Sequence, residues 1–188
     1  MIKSLLLTAS LVLSLSVWAE NYEVESHHGN GNGNGTGTGQ PANPGVSPGQ
    51  SNQEQCDDHG QPMSINNTQV LQWKTSKPNG FLARGYIQGS VDDIFADLTG
   101  HHHFSVKIGS GPQDHVEVIY QLNFGAMPEP KLGDQVTACG DFINSYAQNN
   151  GYQPSPDGAI VHWVHRSPSS SHDSGFVILN GTLYGFGN

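Results

Sequence analysis

His102-His103-Phe104-Ser105-Val106-Lys107-Ile108 alternates polar and apolar side chains, and His115-Val116-Glu117-Val118-Ile119-Tyr120-Gln121-Leu122 does so again shortly afterwards. Successive strand residues point to opposite faces. Phe104, Val106 and Ile108 therefore share one face, and Val116, Val118 and Tyr120 share another. Two such runs separated by turn residues read as paired strands. On this reading His102 points inward with Phe104. His101 and His103 face solvent.

Further strands lie on either side. Phe81 to Gly89 is a mixed run with Gly85 inside, which predicts a bend or bulge. Leu132-Gly133-Asp134-Gln135-Val136 is a turn that leads into a strand through Cys139 to Phe142. Ala159 to Val164 and Phe176 to Leu179 follow, and Asn180-Gly181 before Thr182 signals a two-residue hairpin. One helix is predicted, over Asn67 to Lys74, with Ser64 or Asn66 as its cap. Helical periodicity is nearly absent past residue 75.

Many short strands with regular turns define a mainly all-β chain, either a small barrel or a sandwich. The bent glycine-containing strand, the hairpin and Gly133-Asp134-x-Val136-x-x-x-Gly140 suit an oligonucleotide/oligosaccharide-binding-like (OB-like) β-barrel with a short N-terminal helix. A β-sandwich is the alternative. Asn123 to Lys131 holds Met127-Pro128-Glu129-Pro130 and leaves no room for the helix such barrels often carry there, so the barrel is a reduced one.

Residues 1–19 read as a secretory signal peptide. Lys3 supplies the positive region, Leu5 to Val17 the apolar region, and Val17 and Ala19 a small-residue cleavage site. The apolar run is short for a membrane span, and no later segment qualifies. Residues 20–53 read as a solvated linker of Gly-Asn and Gly-Thr repeats and Pro/Gly/Ser/Gln, with His27-His28 inside it. There is too little here to bury for ordering to be repaid. Residues 54–188 are long enough for one domain with a core. The expected location is periplasmic or secreted.

The full chain carries 7 basic and 16 acidic residues, and loss of Lys3 with the leader takes the net charge from −9 to −10. The basic stripe typical of nucleic-acid binding is absent. Strong, sequence-independent phosphate binding is therefore disfavoured. Export implies an oxidising compartment, so Cys56 and Cys139 are expected to pair. A bridge closing a loop this long stabilises by roughly 4 to 5 kcal/mol in the loop-entropy picture.

Chemistry concentrates in Gly158-Ala159-Ile160-Val161-His162-Trp163-Val164-His165, followed by His172. On an unbroken strand His162 and His165 lie on opposite faces. A bulge or a curl after the strand would bring them together, and the serine-rich loop would return His172. Such a set is a candidate metal trio, because zinc takes three or four ligands of this type. His162 and His165 are also the candidate catalytic residues, since histidine titrates near neutral pH. Asp141, Asp157 and Asp173 are carboxylates that would orient an imidazole. Trp163, Tyr184, Phe186 and Tyr152 are candidates for a stacking platform, with Trp163 and Tyr184 as ligand-binding residues. His101-His102-His103 is a second cluster. A metal site shared by His102 or His103 and the His162/His165 block requires those two strands to be neighbours.

Gly133-Asp134-x-Val136-x-x-x-Gly140, Gly158-x-x-Val161-His162-Trp163-x-His165, His172-x-x-Gly175 and Gly181-x-x-Tyr184 together resemble a family of small exported bacterial proteins of unknown function. The likeness spans roughly residues 81 to 186, and the His-Trp-x-His block is its most specific part. Where the family pattern continues His-Asp-Pro, this chain reads Arg166-Ser167-Pro168. The resemblance implies an exported β-rich domain and no particular activity. The expectation is thus an exported binding module for a small ligand or envelope component, with a divalent metal as candidate cofactor. The alternatives are a His- or metal-dependent extracytoplasmic hydrolase acting on phosphodiesters, and a structural envelope protein.

Overall fold

The computed structural model describes residues 54–149, 153–169 and 172–186. The predicted leader, the linker with His27-His28, and Tyr152 lie outside the described residues. The chain opens with β1 (Asp57–Asp58) and β2 (Gln61–Pro62), then α1 (Asn67–Ser76), β3 (Leu82–Ile94), β4 (His101–Lys107) and β5 (His115–Gln121). It continues with β6 (Gln135–Asn144), β7 (Ala159–His162), β8 (Phe176–Leu179) and β9 (Thr182–Tyr184).

Five strands close a barrel in the order β3-β4-β5-β7-β6, with β6 returning to β3. Only the β5–β7 pair is parallel. The order is that of an OB-type barrel, so the expected all-β barrel with a short N-terminal helix is the fold. Alternation did its work in β4 and β5. Phe104, Val106, Ile108, Val116, Val118 and Tyr120 all face one core cluster, joined by Ile87, Phe142 and Val161. Burying side chains of this size stabilises by roughly 1.5–3 kcal/mol each.

The link from β5 to β6 contains only a 3-10 turn, Leu122–Phe124. The helix precedes the barrel instead. Val70 of α1 is fully buried in the core cluster, with Leu71 and Trp73 packed against it. Asn67 bonds to Gln88 and Ile108, Lys74 Nζ donates to the Gln113 and His115 carbonyls, and Asn144 Nδ2 donates to the carbonyls of Trp73 and Lys77. These contacts seat α1 over the barrel end where β4 and β6 finish and β5 begins. Asn66 occupies the cap position, but its side chain bonds to Tyr86 N and the Arg84 carbonyl rather than capping.

β6 carries β3 along one edge. Its other edge is divided between β8, at Val136–Cys139, and β7, at Asp141–Asn144. At the junction the backbones approach closely. A Cβ on Gly140 would stand 2.3 Å from the His162 carbonyl oxygen, and one on Gly175 would stand 2.2 Å from that of Trp163. The chain leaves the barrel after β7 and returns at β8. The hairpin at Asn180-Gly181 has two positive φ angles, 49° and 83°, the demand that Asn-Gly meets.

Cys56 and Cys139 form the expected disulfide, with Cα atoms 5.7 Å apart. It ties the β1–β2 hairpin to β6. Arg84 reinforces this corner through Asp141 Oδ1 at 2.8 Å and the Ser174 carbonyl. No helix among the described residues is long and apolar enough to cross a membrane.

Three sequence readings change. The strand at Phe81–Gly89 runs on to Ile94, with an irregular register between Val91 and Asp93. The strand from Ala159 stops at His162 rather than Val164, because Trp163 turns to φ 55°. His103 does not face solvent; it is 5% exposed.

Candidate functional site

The positive φ at Trp163 decides the site. A strand carried through Trp163 would separate His162 and His165 onto two faces. The left-handed residue breaks that alternation, and the rings converge on the indole. Trp163 lies 5.2 Å from His162, 5.5 Å from His165 and 4.5 Å from His172, measured between ring centroids.

The second histidine cluster arrives from β4. Thr99 and Gly100, at φ 50° and 79°, turn the chain so that Leu98 bridges His101 and β4 begins. His101 and His103 share the face of β4 opposite Phe104. Across the outer surface of the barrel, His103 pairs with Ile119 of β5, and β5 pairs with β7. The strands of His103 and His162 are therefore not adjacent; both flank β5. Strands at this separation stand about 10 Å apart, and the His101 and His162 rings come closer than that. The centroids of His101 and His162 are 6.3 Å apart, and those of His101 and His103 are 6.1 Å apart. The rim used is the one opposite α1, because β5 and β7 run parallel and both end there.

The rings are oriented from behind. His103 Nδ1 lies 2.7 Å from Glu117 Oε1, with both side chains buried. His101 Nδ1 lies 3.2 Å from the carbonyls of Leu98 and Thr99. An Nδ1 facing an acceptor donates to it, so the two carbonyls and Glu117 fix the orientation of these rings. His162 is half-buried on the same face. Burial first, and then the like charges of His101, His165, His103 and His172, push its pKa down to about 3. The imidazole is neutral at any physiological pH, and a neutral imidazole is a metal ligand or a proton acceptor.

Two of the candidate residues turn out to be packing residues. His165 is 1% exposed, stacks flat on Phe124 at 3.5 Å and bonds through Nδ1 to the Arg166 carbonyl. Burial is the main cause of its lowered pKa. Tyr184 packs against the barrel core cluster rather than beside Trp163, and Phe186 takes Arg166 over its ring at 5.1 Å. The platform of Trp163 with Tyr184 is therefore not assembled. His162, His165 and His172 surround the indole but do not form a ready metal trio. Among the described residues, the trio with donor atoms already within 4.8 Å of one another is Asp58, His59 and Asp173.

Of the three carboxylates expected to orient an imidazole, Asp157 has one nearby, 3.8 Å from His115 Nε2, while Asp141 takes Arg84 and Asp173 Oδ2 accepts from His59 N at 2.5 Å. Glu117 and Asp97 hold imidazoles more closely, at 2.7 Å from His103 Nδ1 and His102 Nδ1. His102 also bonds through Nε2 to the Met127 carbonyl, so both its nitrogens are engaged. Glu117 had a sequence signal: a lone carboxylate on the polar face of an otherwise apolar strand. Compared with protein-family models and with curated proteins, the chain matches none.

Proposed function

We propose that the chain is an exported β-barrel module that binds its ligand on the outer face of β4, β5 and β7, where His101 and His103 approach His162, which with His172 flanks Trp163. The observation that carries this reading is that His101 of β4 comes within 6.3 Å of His162, which with His172 flanks the Trp163 indole, and that His162 is held neutral. The second and third strands of OB-type barrels form their ligand face, and β4 and β5 hold those positions. The acidic balance favours a small ligand or a cation over a phosphate backbone. The disulfide supports an extracytoplasmic setting.

The test is an NMR titration that follows the imidazole signals and the Trp163 indole N–H, with zinc, short oligosaccharides and short oligonucleotides as probes. Shifts confined to His101, His103, His162, His172 and Trp163 are expected with one probe class. If every probe leaves this face unmoved, the reading fails.

The buried His103–Glu117 pair beside His162 favours a hydrolase as the second reading, since a carboxylate-oriented imidazole is the arrangement of a general base. In that case His162→Ala abolishes turnover of a generic phosphodiester while thermal stability stays close to that of the parent. Retained turnover in the variant excludes it.

A further inference from the structure

We propose that Asp58, His59 and Asp173 form a surface site for a divalent cation of the zinc class, which clamps the β1–β2 hairpin to the loop before β8. The site uses none of the residues of the binding face described above and does not rest on that reading. Each residue offers one ligand atom, and these atoms lie within 4.8 Å of one another. His59 Nε2 stands 3.7 Å from Asp58 Oδ1. With metal bonds of about 2.0–2.2 Å, two ligands on one tetrahedral ion stand roughly 3.3–3.6 Å apart. The observed spacing fits a shared ion better than a hydrogen bond of roughly 2.7–3.2 Å.

The three donors come from segments far apart in sequence, His59 and Asp173 being separated by 114 residues. Three links hold these segments together. The Cys56–Cys139 disulfide anchors the base of the hairpin. Arg84 donates to the carbonyls of Asp57 and Ser174, the neighbours of Asp58 and Asp173. His59 N donates to Asp173 Oδ2, which turns that carboxylate toward the hairpin and leaves it further lone pairs. The charge balance then favours a cation. Arg84 reaches both segments but places its charge on Asp141, 2.8 Å away. Among the described residues, neither Asp58 nor Asp173 forms an ion pair with a lysine or an arginine. The imidazole sets the class of ion. Calcium and magnesium take oxygen ligands, whereas a nitrogen beside carboxylates suits zinc. Three protein ligands leave the fourth position to water. Asp173 directly follows His172, whose ring lies 4.5 Å from that of Trp163. An ion on Asp173 would therefore also fix the edge of the binding face.

The experiment is calorimetric titration of the full chain with zinc and, separately, with calcium, beside NMR of the imidazole signals. Zinc should bind with its first equivalent at this site and move the His59 signal, and calcium should bind far more weakly. His59→Ala and Asp173→Asn should each weaken zinc binding by more than the roughly 10–100-fold that loss of an outer-shell partner costs. His59 is exposed, and Asp173→Asn keeps an acceptor for His59 N, so both variants should fold. The combined variant Asp58→Asn, His59→Ala, Asp173→Asn measures zinc bound elsewhere, including at His27-His28. The shift of the His59 signal in the parent chain tests the site without any variant. Zinc affinity that survives in the combined variant overturns the proposal. So does calcium binding as tight as that of zinc, which would reduce the site to a pair of carboxylates. If zinc moves His101, His103 and His162 while His59 stays in place, the ion belongs to the binding face and this site falls. If zinc moves His59 alone, the site stands whatever the other probes do at Trp163.

Discussion

His103 and Glu117 face each other across β4 and β5, with Nδ1 2.7 Å from Oε1 and both side chains about 95% out of solvent. Neither residue belongs to the apolar core. They sit on the outer face of the barrel, under the residues that converge there. A buried donor without an acceptor costs about 1–3 kcal/mol. Glu117→Ala should therefore destabilise by that amount, measured by the urea midpoint at constant slope. Glu117→Gln keeps an acceptor for Nδ1–H and should lose clearly less. Equal losses in the two variants would mean that packing, not the hydrogen bond, holds the pair.

The disulfide anchors a part of the chain with little else to hold it. β1 and β2 are two residues each, and Cys56 is fully buried beside Cys139, Phe176 and Tyr86. Replacing both cysteines by alanine should cost about 2–5 kcal/mol. Hydrogen exchange should localise the change: amides of the hairpin, including His59 N at Asp173, should lose protection before those of β4 and β5. Uniform loss of protection would contradict a local anchoring role.

Much of the barrel was legible because its strands bury one face, and the alternation of β4 and β5 records that directly. Asn180-Gly181 and Asn123–Lys131 were legible through the backbone demands of glycine and proline. The site was legible only in part. The His-Trp-x-His block identified the segment, but its geometry depends on Trp163 adopting a left-handed φ, which nothing in the local residue types announces. The meeting of β4 with β7 across β5 comes from a parallel pairing between strands distant in sequence, and periodicity carries no such information. His103 looked like a solvent residue because its cover comes from other parts of the chain. Tyr184 looked like a ligand residue because an aromatic near the end of the chain has the same signature whether it packs or binds.

Asp157 is 8% exposed, and its Oδ2 has no hydrogen-bond partner among the described residues. Burial raises its pKa above 3.8 despite Ser105, His115 and Lys74, and Glu117 adds to the rise. The folded state thus binds this proton more tightly than the unfolded chain. Ionised Asp157 costs stability at neutral pH, and the cost fades as pH falls through the folded pKa and is gone below the unfolded value. Asp157→Asn should raise the melting temperature at neutral pH, with the gain disappearing below 3.8. A variant less stable than the parent at neutral pH would show that the attraction of Lys74 and His115 outweighs burial.

Gly175 controls the position of Trp163 through the backbone alone. A Cβ there would lie 2.2 Å from the Trp163 carbonyl oxygen and 2.3 Å from that of Cys139, and neither can rotate away. Gly175→Ala must therefore push the segment that carries Trp163 away from β6, and overpacking of this kind typically costs about 1–3 kcal/mol. Gly181 is the control. A Cβ there meets nothing within 4 Å, but φ is 83°, so Gly181→Ala pays only backbone strain of about 1–2 kcal/mol in the hairpin. The two variants should lose similar stability yet differ at the site. Gly175→Ala should shift the indole signal of Trp163 and the imidazole signals of His162 and His172, and Gly181→Ala should leave all three in place. Unmoved signals in Gly175→Ala would mean that the strain is absorbed in β8, and that Trp163 is held by its ring contacts with the histidines rather than by the backbone junction.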